Sequence, residues 1–363
     1  MKEKQRLLGI DLFRGIAAYA VILVHSGDET WGIPVDRSAA EFRHLFYFAV
    51  PFFLATSFYF TTSKPNINVS RKFWLSRFQR ILIPYLVWTI LYLVFKVIIV
   101  SLTQETESLS KLLADPWAIV FLGGISYHLY FLPLLGSGYI LLFFGKYLKK
   151  VNLKINIVLA ALSILIYHLM LVYNNSFVLG LNLAFPEILE LFQPNTIGYE
   201  IARLLLVELS WLLRCFPYLL VALIINNGKL TFYNYLFKSS LINIVLILTF
   251  ILMNTIGKNL LPEALSEITI AYSLLLLAIS ISKIIKNNSA IINLGACSFG
   301  IYLIHPLVKS FIEIIIEQFL PNLAARVSIG SMLVYSGLTL ILSWWIVSQS
   351  IRQKIIAKYM FGI

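Results

Sequence analysis

Two side chains with anion-binding and acid–base chemistry, Arg14 and His25, stand eleven residues apart in the apolar run DLFRGIAAYAVILVH. At about 100° and 1.5 Å per helical residue, that gap returns to nearly the same face roughly 16 Å further along. One helix therefore carries a permanent cation and a titratable imidazole in a single line, at two depths. An ionisable side chain inside a membrane span costs about 2.5 kcal/mol or more and marks a functional candidate by default. The plain alternative is that Arg14 reaches back to the cytoplasmic headgroups along its aliphatic stem while His25 sits at the outer interface.

Further candidates follow along the chain. The stretch RKFWLSRFQRILIPY sets Arg77 and Arg80 three apart, an expected shared helical face at the start of a span, close to Pro84. Guanidinium forks grip phosphate bidentately and stay charged in a low dielectric, so this pair is a candidate phosphate ligand. Arg71 and Lys72 just before it read better as cytoplasmic anchors or contacts to anionic lipid. In GGISYHLYFLPLLGSGY, Tyr130 and Phe131 suit an interfacial aromatic belt. His128 falls on the same expected outer side as His25, where two imidazoles near one vestibule would share acid and base roles. His44, beside Arg43 and Glu41, reads as a solvated rim residue.

Two later spans carry polar stripes: Arg203, Glu208 and Arg214 in one, and His305, Lys309, Glu313 and Glu317, spaced by four, in the other. Such stripes must face protein or water. Structural pairing is the better reading for both, with Lys309 neutralising Glu313. His305 is the exception, because Pro306 after it removes a backbone donor and bends the helix near mid-membrane. Cys215 and Cys297 lie in apolar runs as small core residues, and no metal-ligand spacing exists.

The elements that must position these groups are membrane helices. Of 363 residues, 59% are hydrophobic and 13% charged, against about 25% charged in soluble domains; mean hydropathy is +0.84. Segments of spanning length, about 20 residues, fall near 8–25, 44–62, 80–101, 127–147, 155–175, 201–225, 240–257, 267–283, 293–319 and 328–350. Alternate loops test the set. One series holds most of the lysines and arginines; the other holds only Arg37, Arg43, Lys111, Lys258 and Arg326, with most of the acids. The expected fold is an all-α integral membrane protein of about ten transmembrane helices, with both termini cytoplasmic. Net charge is +12, but its dispersal at helix ends argues against nucleic acid as a partner. Lys2, Lys4 and Arg6 before the first span resemble a signal peptide; with no small-x-small cleavage site after it, that span is expected to be retained. No Ser/Gly-rich linker and no internal repeat divides the chain. A single transmembrane domain over 1–363, without an attached soluble domain, is the economical expectation.

Arg14 and His25 with ten residues between them, then SRFQRILIPY, SYHLYFLPLL and SFGIYLIHP, form a pattern that resembles acyltransferase family 3. That family includes bacterial O-antigen and exopolysaccharide O-acetyltransferases. The resemblance runs from about Asp11 to Trp345, and its most specific parts are the Arg/His spacing and the Arg-x-x-Arg-Ile-x-x-Pro-Tyr run. It implies a ten-helix core, a cytoplasmic acyl-CoA donor, commonly acetyl-CoA, and an acceptor hydroxyl on the far side. It also implies functional roles for Arg14, His25, Arg77 and Arg80. Some members carry a fused extracytoplasmic hydrolase-like domain, and none is expected here.

Resemblance and residue chemistry together lead to one expected mechanism. Arg77 and Arg80, with Arg14, hold the donor phosphates; His25 is the general base on the acceptor hydroxyl. Asp28 or Glu29, one turn on, orients the imidazole, and His128 or Tyr127 supplies an oxyanion donor. A covalent acyl-His25 variant of this scheme stays open. Expected partners are acyl-CoA, a carbohydrate or lipid-linked glycan acceptor, and the lipids of the plasma (inner) membrane. The competing class is a transporter or flippase for a lipid-linked glycan, for which paired repeats with broken helices would be expected. A lipid-linked glycosyltransferase ranks last, since the outer acids are scattered.

Overall fold

A backbone without water must satisfy its own N–H and C=O groups, and a helix does so within one segment. The computed structural model describes residues 6–26, 34–64, 67, 69–103, 113–173, 183–227 and 240–363, and among them it contains helices and no strand. In chain order the main helices are α1 (Leu8–Val24), α2 (Ala49–Thr62), α3 (Ile83–Thr103), α4 (Phe131–Ile140) and α5 (Leu142–Leu148). They continue with α6 (Leu153–Tyr173), α7 (Ile197–Asn227), α8 (Ser240–Leu252), α9 (Glu263–Ile281), α10 (Ser289–Phe319) and α11 (Ile329–Ser350).

Eight helical stretches among the described residues are long and apolar enough to cross a membrane, or nine if α4 and α5, bent by 42°, form one span. The remaining expected span is α1. Its 17 residues make about 25 Å of helix, a little under the roughly 30 Å hydrocarbon core. Local sequence sets the helix starts. The Asn288 side chain accepts the N–H groups of Ala290 and Ile291 ahead of α10, and Ser328 and Ser331 form a reciprocal capping box ahead of α11.

Contacts divide the chain into two compact units, Met1–Ser57 with Gly228–Lys354, and Phe58–Asn227 with Ile355–Ile363. In the first, α1 packs on α9, α10 and α11. Small residues allow the approach: the Asp11 side chain lies where a Cβ on Gly295 of α10 would stand. Asp11 in turn pairs with Arg6 at 2.5 Å, and the Arg6 guanidinium also donates to the Ile292 carbonyl at 3.1 Å.

In the second unit α7 packs on α6 and α4. Tyr85 on α3 secures the turn before α4. Its O–H points between the carbonyls of Ile119 (3.0 Å) and Val120 (2.9 Å), and its oxygen accepts the Gly123 N–H at 3.0 Å. Gly123 sits at φ 77°, a left-handed conformation that a Cβ would strain. Trp88 donates to the Met360 carbonyl at 2.8 Å, tying the C-terminal helix Lys354–Phe361 to α3.

Arg203 holds Asp115 through two parallel bonds of 2.6 and 2.7 Å and also donates to Glu200. Its side chain is 7% exposed, so the structural pairing expected for this span accommodates it. Burial pushes the Asp115 carboxyl upward, but the Arg203 bonds and charge and the Ala118 N–H outweigh it and hold the group below the usual carboxylate range. A depressed folded pKa stabilises the fold above the unfolded value, and that stabilisation is lost as pH falls through the folded one. Asp115→Asn is expected to cost about 2 kcal/mol, less than a fully buried pair because the carboxylate is a third exposed. Thermal unfolding against pH checks this: the wild type should lose stability on the acid side, and the Asn variant should start lower and respond less.

Candidate active site

His25 is the residue at which α1 ends, its backbone N–H still bonded to the Val21 carbonyl at 3.3 Å. Arg14 lies on the same helix, and both side chains are half-buried. The neighbour that this unit brings to His25 is His305 on α10: the two rings lie 6.2 Å apart, centre to centre, with 29° between their planes. His305 is wholly buried, with Nδ1 2.7 Å from the Tyr302 carbonyl oxygen. One turn on, Lys309 pairs with Glu313 at 3.4 Å, the neutralisation expected from their spacing. Asp28 and Glu29 fall outside the described residues.

The second unit holds Arg77, Arg80 and His128. Arg77 ends the helix Arg71–Arg77, with its guanidinium 5.1 Å from the centre of the Phe73 ring and 4.8 Å from that of Tyr139. Two aromatic faces fix a planar cation in place, each contact contributing about 0.5–1 kcal/mol. The Tyr139 hydroxyl lies 3.5 Å from Nη1. Arg77 lines a cavity of about 640 Å³ whose walls are mostly apolar; Arg71, Ser137 and Glu208 add polar groups.

Arg80 is exposed and does not line that cavity. The expected shared face of Arg77 and Arg80 fails for a local reason. Residues Phe78–Leu82 form a π-helical turn, whose wider i→i+5 ladder carries a side chain three residues on away from the α-helical position. Arg71, expected as an anchor alone, does reach the cavity. His128 is 2% exposed, with Nδ1 3.1 Å from Ser126 Oγ and the Tyr92 ring edge-on at 5.2 Å. It belongs to the other unit from His25.

Sequence reasoning singled out His305 for the proline after it but did not pair it with His25, since nothing local links positions 25 and 305. Nor did it find the Phe73–Tyr139 clasp, although an aromatic four residues before Arg77 was a readable cation–π signal. Glu208, read as a structural partner, lines the Arg77 cavity instead; its separation in sequence from Arg77 concealed that.

Neither a curated protein nor a solved structure matches the chain significantly. A family model described as an acyltransferase domain matches residues 7–348. That match takes in His25 and His305 of the first unit, Arg77 of the second, and nearly every helix between. This chain, helical over its described residues, belongs to acyltransferase family 3.

Proposed function

We propose that this membrane acyltransferase moves an acetyl group from acetyl-CoA, supplied from the cytoplasm, to a hydroxyl of a sugar in a surface or exported glycan. The observation that carries the reading is the Arg77 site. A guanidinium held over two aromatic rings and lining a mostly apolar cavity of about 640 Å³ suits a ligand with a phosphate end and an uncharged arm, which is the chemistry of an acyl-CoA. Arg77 is the principal phosphate ligand, with Arg80 adding positive charge.

His25 serves as general base. As the acceptor oxygen attacks the thioester carbon, the new C–O bond forms and the C–S bond breaks. The hydroxyl proton passes to the imidazole and then to the departing thiolate. The protein resides in the plasma (inner) membrane with both termini cytoplasmic, following its charge asymmetry.

Incubating purified protein with labelled acetyl-CoA and a membrane-glycan fraction tests the reading directly. Release of CoA with label appearing on glycan is expected. Transport of a lipid-linked glycan without CoA release would overturn it.

A further inference from the structure

Proline has no N–H, so Pro306 leaves the Tyr302 carbonyl, one turn back in α10, without its helical donor. His305 Nδ1 lies 2.7 Å from that oxygen. A carbonyl can only accept, so Nδ1 carries the hydrogen, and in the neutral ring the lone pair then belongs to Nε2. The His-Pro dipeptide thus sets its own tautomer: the proline exposes an acceptor and the histidine before it fills it. The ring is fully buried. The imidazole of His25 stands 6.2 Å away, centre to centre. At that spacing one oxygen atom can lie within about 2.8 Å of a nitrogen on each ring.

We propose that His305 is a second acid–base group of the acyl-transfer site, with Nε2 as its proton-accepting atom. The inference rests on the base role proposed for His25. The acceptor oxygen sits between the two rings, so its proton is shared by the pair during attack on the thioester carbon and ends on the departing thiolate. The other ionisable side chains on the helices packed here are Asp11, Arg14 and Tyr19 on α1, Glu263, Glu267 and Tyr272 on α9, Cys297, Tyr302, Lys309, Glu313 and Glu317 on α10, Tyr335 on α11, and Arg37, Glu41, Arg43 and His44 on the short helix Arg37–His44. Lys309 and Glu313 offset one another.

His305→Asn retains an amide that can donate to the Tyr302 carbonyl and places nothing at Nε2; His305→Gln places an amide near Nε2 that cannot take a proton. In both, acyl transfer is expected to fall about 10²-fold or more, CoA binding to persist, and the pH–rate profile to lose one ionisation. An Asn variant with the wild-type rate and profile would overturn the inference. Nitrogen NMR of the full-length protein labelled at its five histidines covers the case in which these variants misfold. One neutral histidine should carry its hydrogen on Nδ1, and its titration should shift in His25→Gln; an unshifted titration, or the other tautomer, sinks the idea. If His25→Ala keeps full transfer, the base role of His25 fails. If His25→Ala is inactive and the His305 variants are normal, only the present inference fails.

Discussion

Alanine at position 25 is expected to lower acyl transfer about 10²–10⁴-fold, the contribution of a positioned general base, with membrane abundance and CoA binding preserved. The substitution separates chemistry from folding because of where the residue sits. His25 closes α1 at φ −94°, ψ 1°, a conformation open to alanine, and its backbone bond to Val21 survives the change. The side chain is half-buried, so truncation removes little packed surface. His25→Gln refines the test by keeping hydrogen-bonding capacity without a group that takes a proton at neutral pH. Both variants should be similarly slow. Activity near the wild-type level in either, at normal protein level, would remove His25 from the mechanism.

Arg77→Lys should weaken CoA binding about 10–100-fold, the loss expected for one charge-assisted, bidentate contact worth about 1.5–3 kcal/mol. The lysine keeps the charge but loses two things: the planar fork that matches a phosphate, and the delocalised cation that lies over the Phe73 and Tyr139 rings. A flexible ammonium in that clasp is neither stacked nor pre-oriented. Arg80→Lys is the internal comparison. Arg80 is exposed and outside the cavity lining, so its replacement should change binding much less. Calorimetry or equilibrium dialysis with CoA in detergent reads both. Equal, small effects would return Arg77 to the role of a topological anchor.

Much of this protein was legible from one-dimensional patterns. Apolar runs of spanning length place the helices because a hydrocarbon solvent leaves the backbone few alternatives. The Lys309–Glu313 pair followed from four-residue spacing, and its ion pair is present. The prominence of Arg14 and His25 came from the anomaly of charge and imidazole in an apolar run. In each case the determining interaction is local, within a turn or two of one helix, or is between one helix and its solvent.

Tertiary structure decided the rest. It gave His25 the ring of His305 as a neighbour, 280 positions along the chain. It clasped Arg77 between Phe73 and Tyr139 and put Glu208 in the same cavity. It also parted Arg77 from Arg80 by a π-helical turn that an α-helical wheel cannot anticipate. Asp115 and Arg203, far apart in sequence, became a bidentate pair. These outcomes depend on which helix faces pack together. In a membrane, that choice is made by close van der Waals fit and scattered polar contacts between helices, and no repeating pattern along one helix encodes its partner.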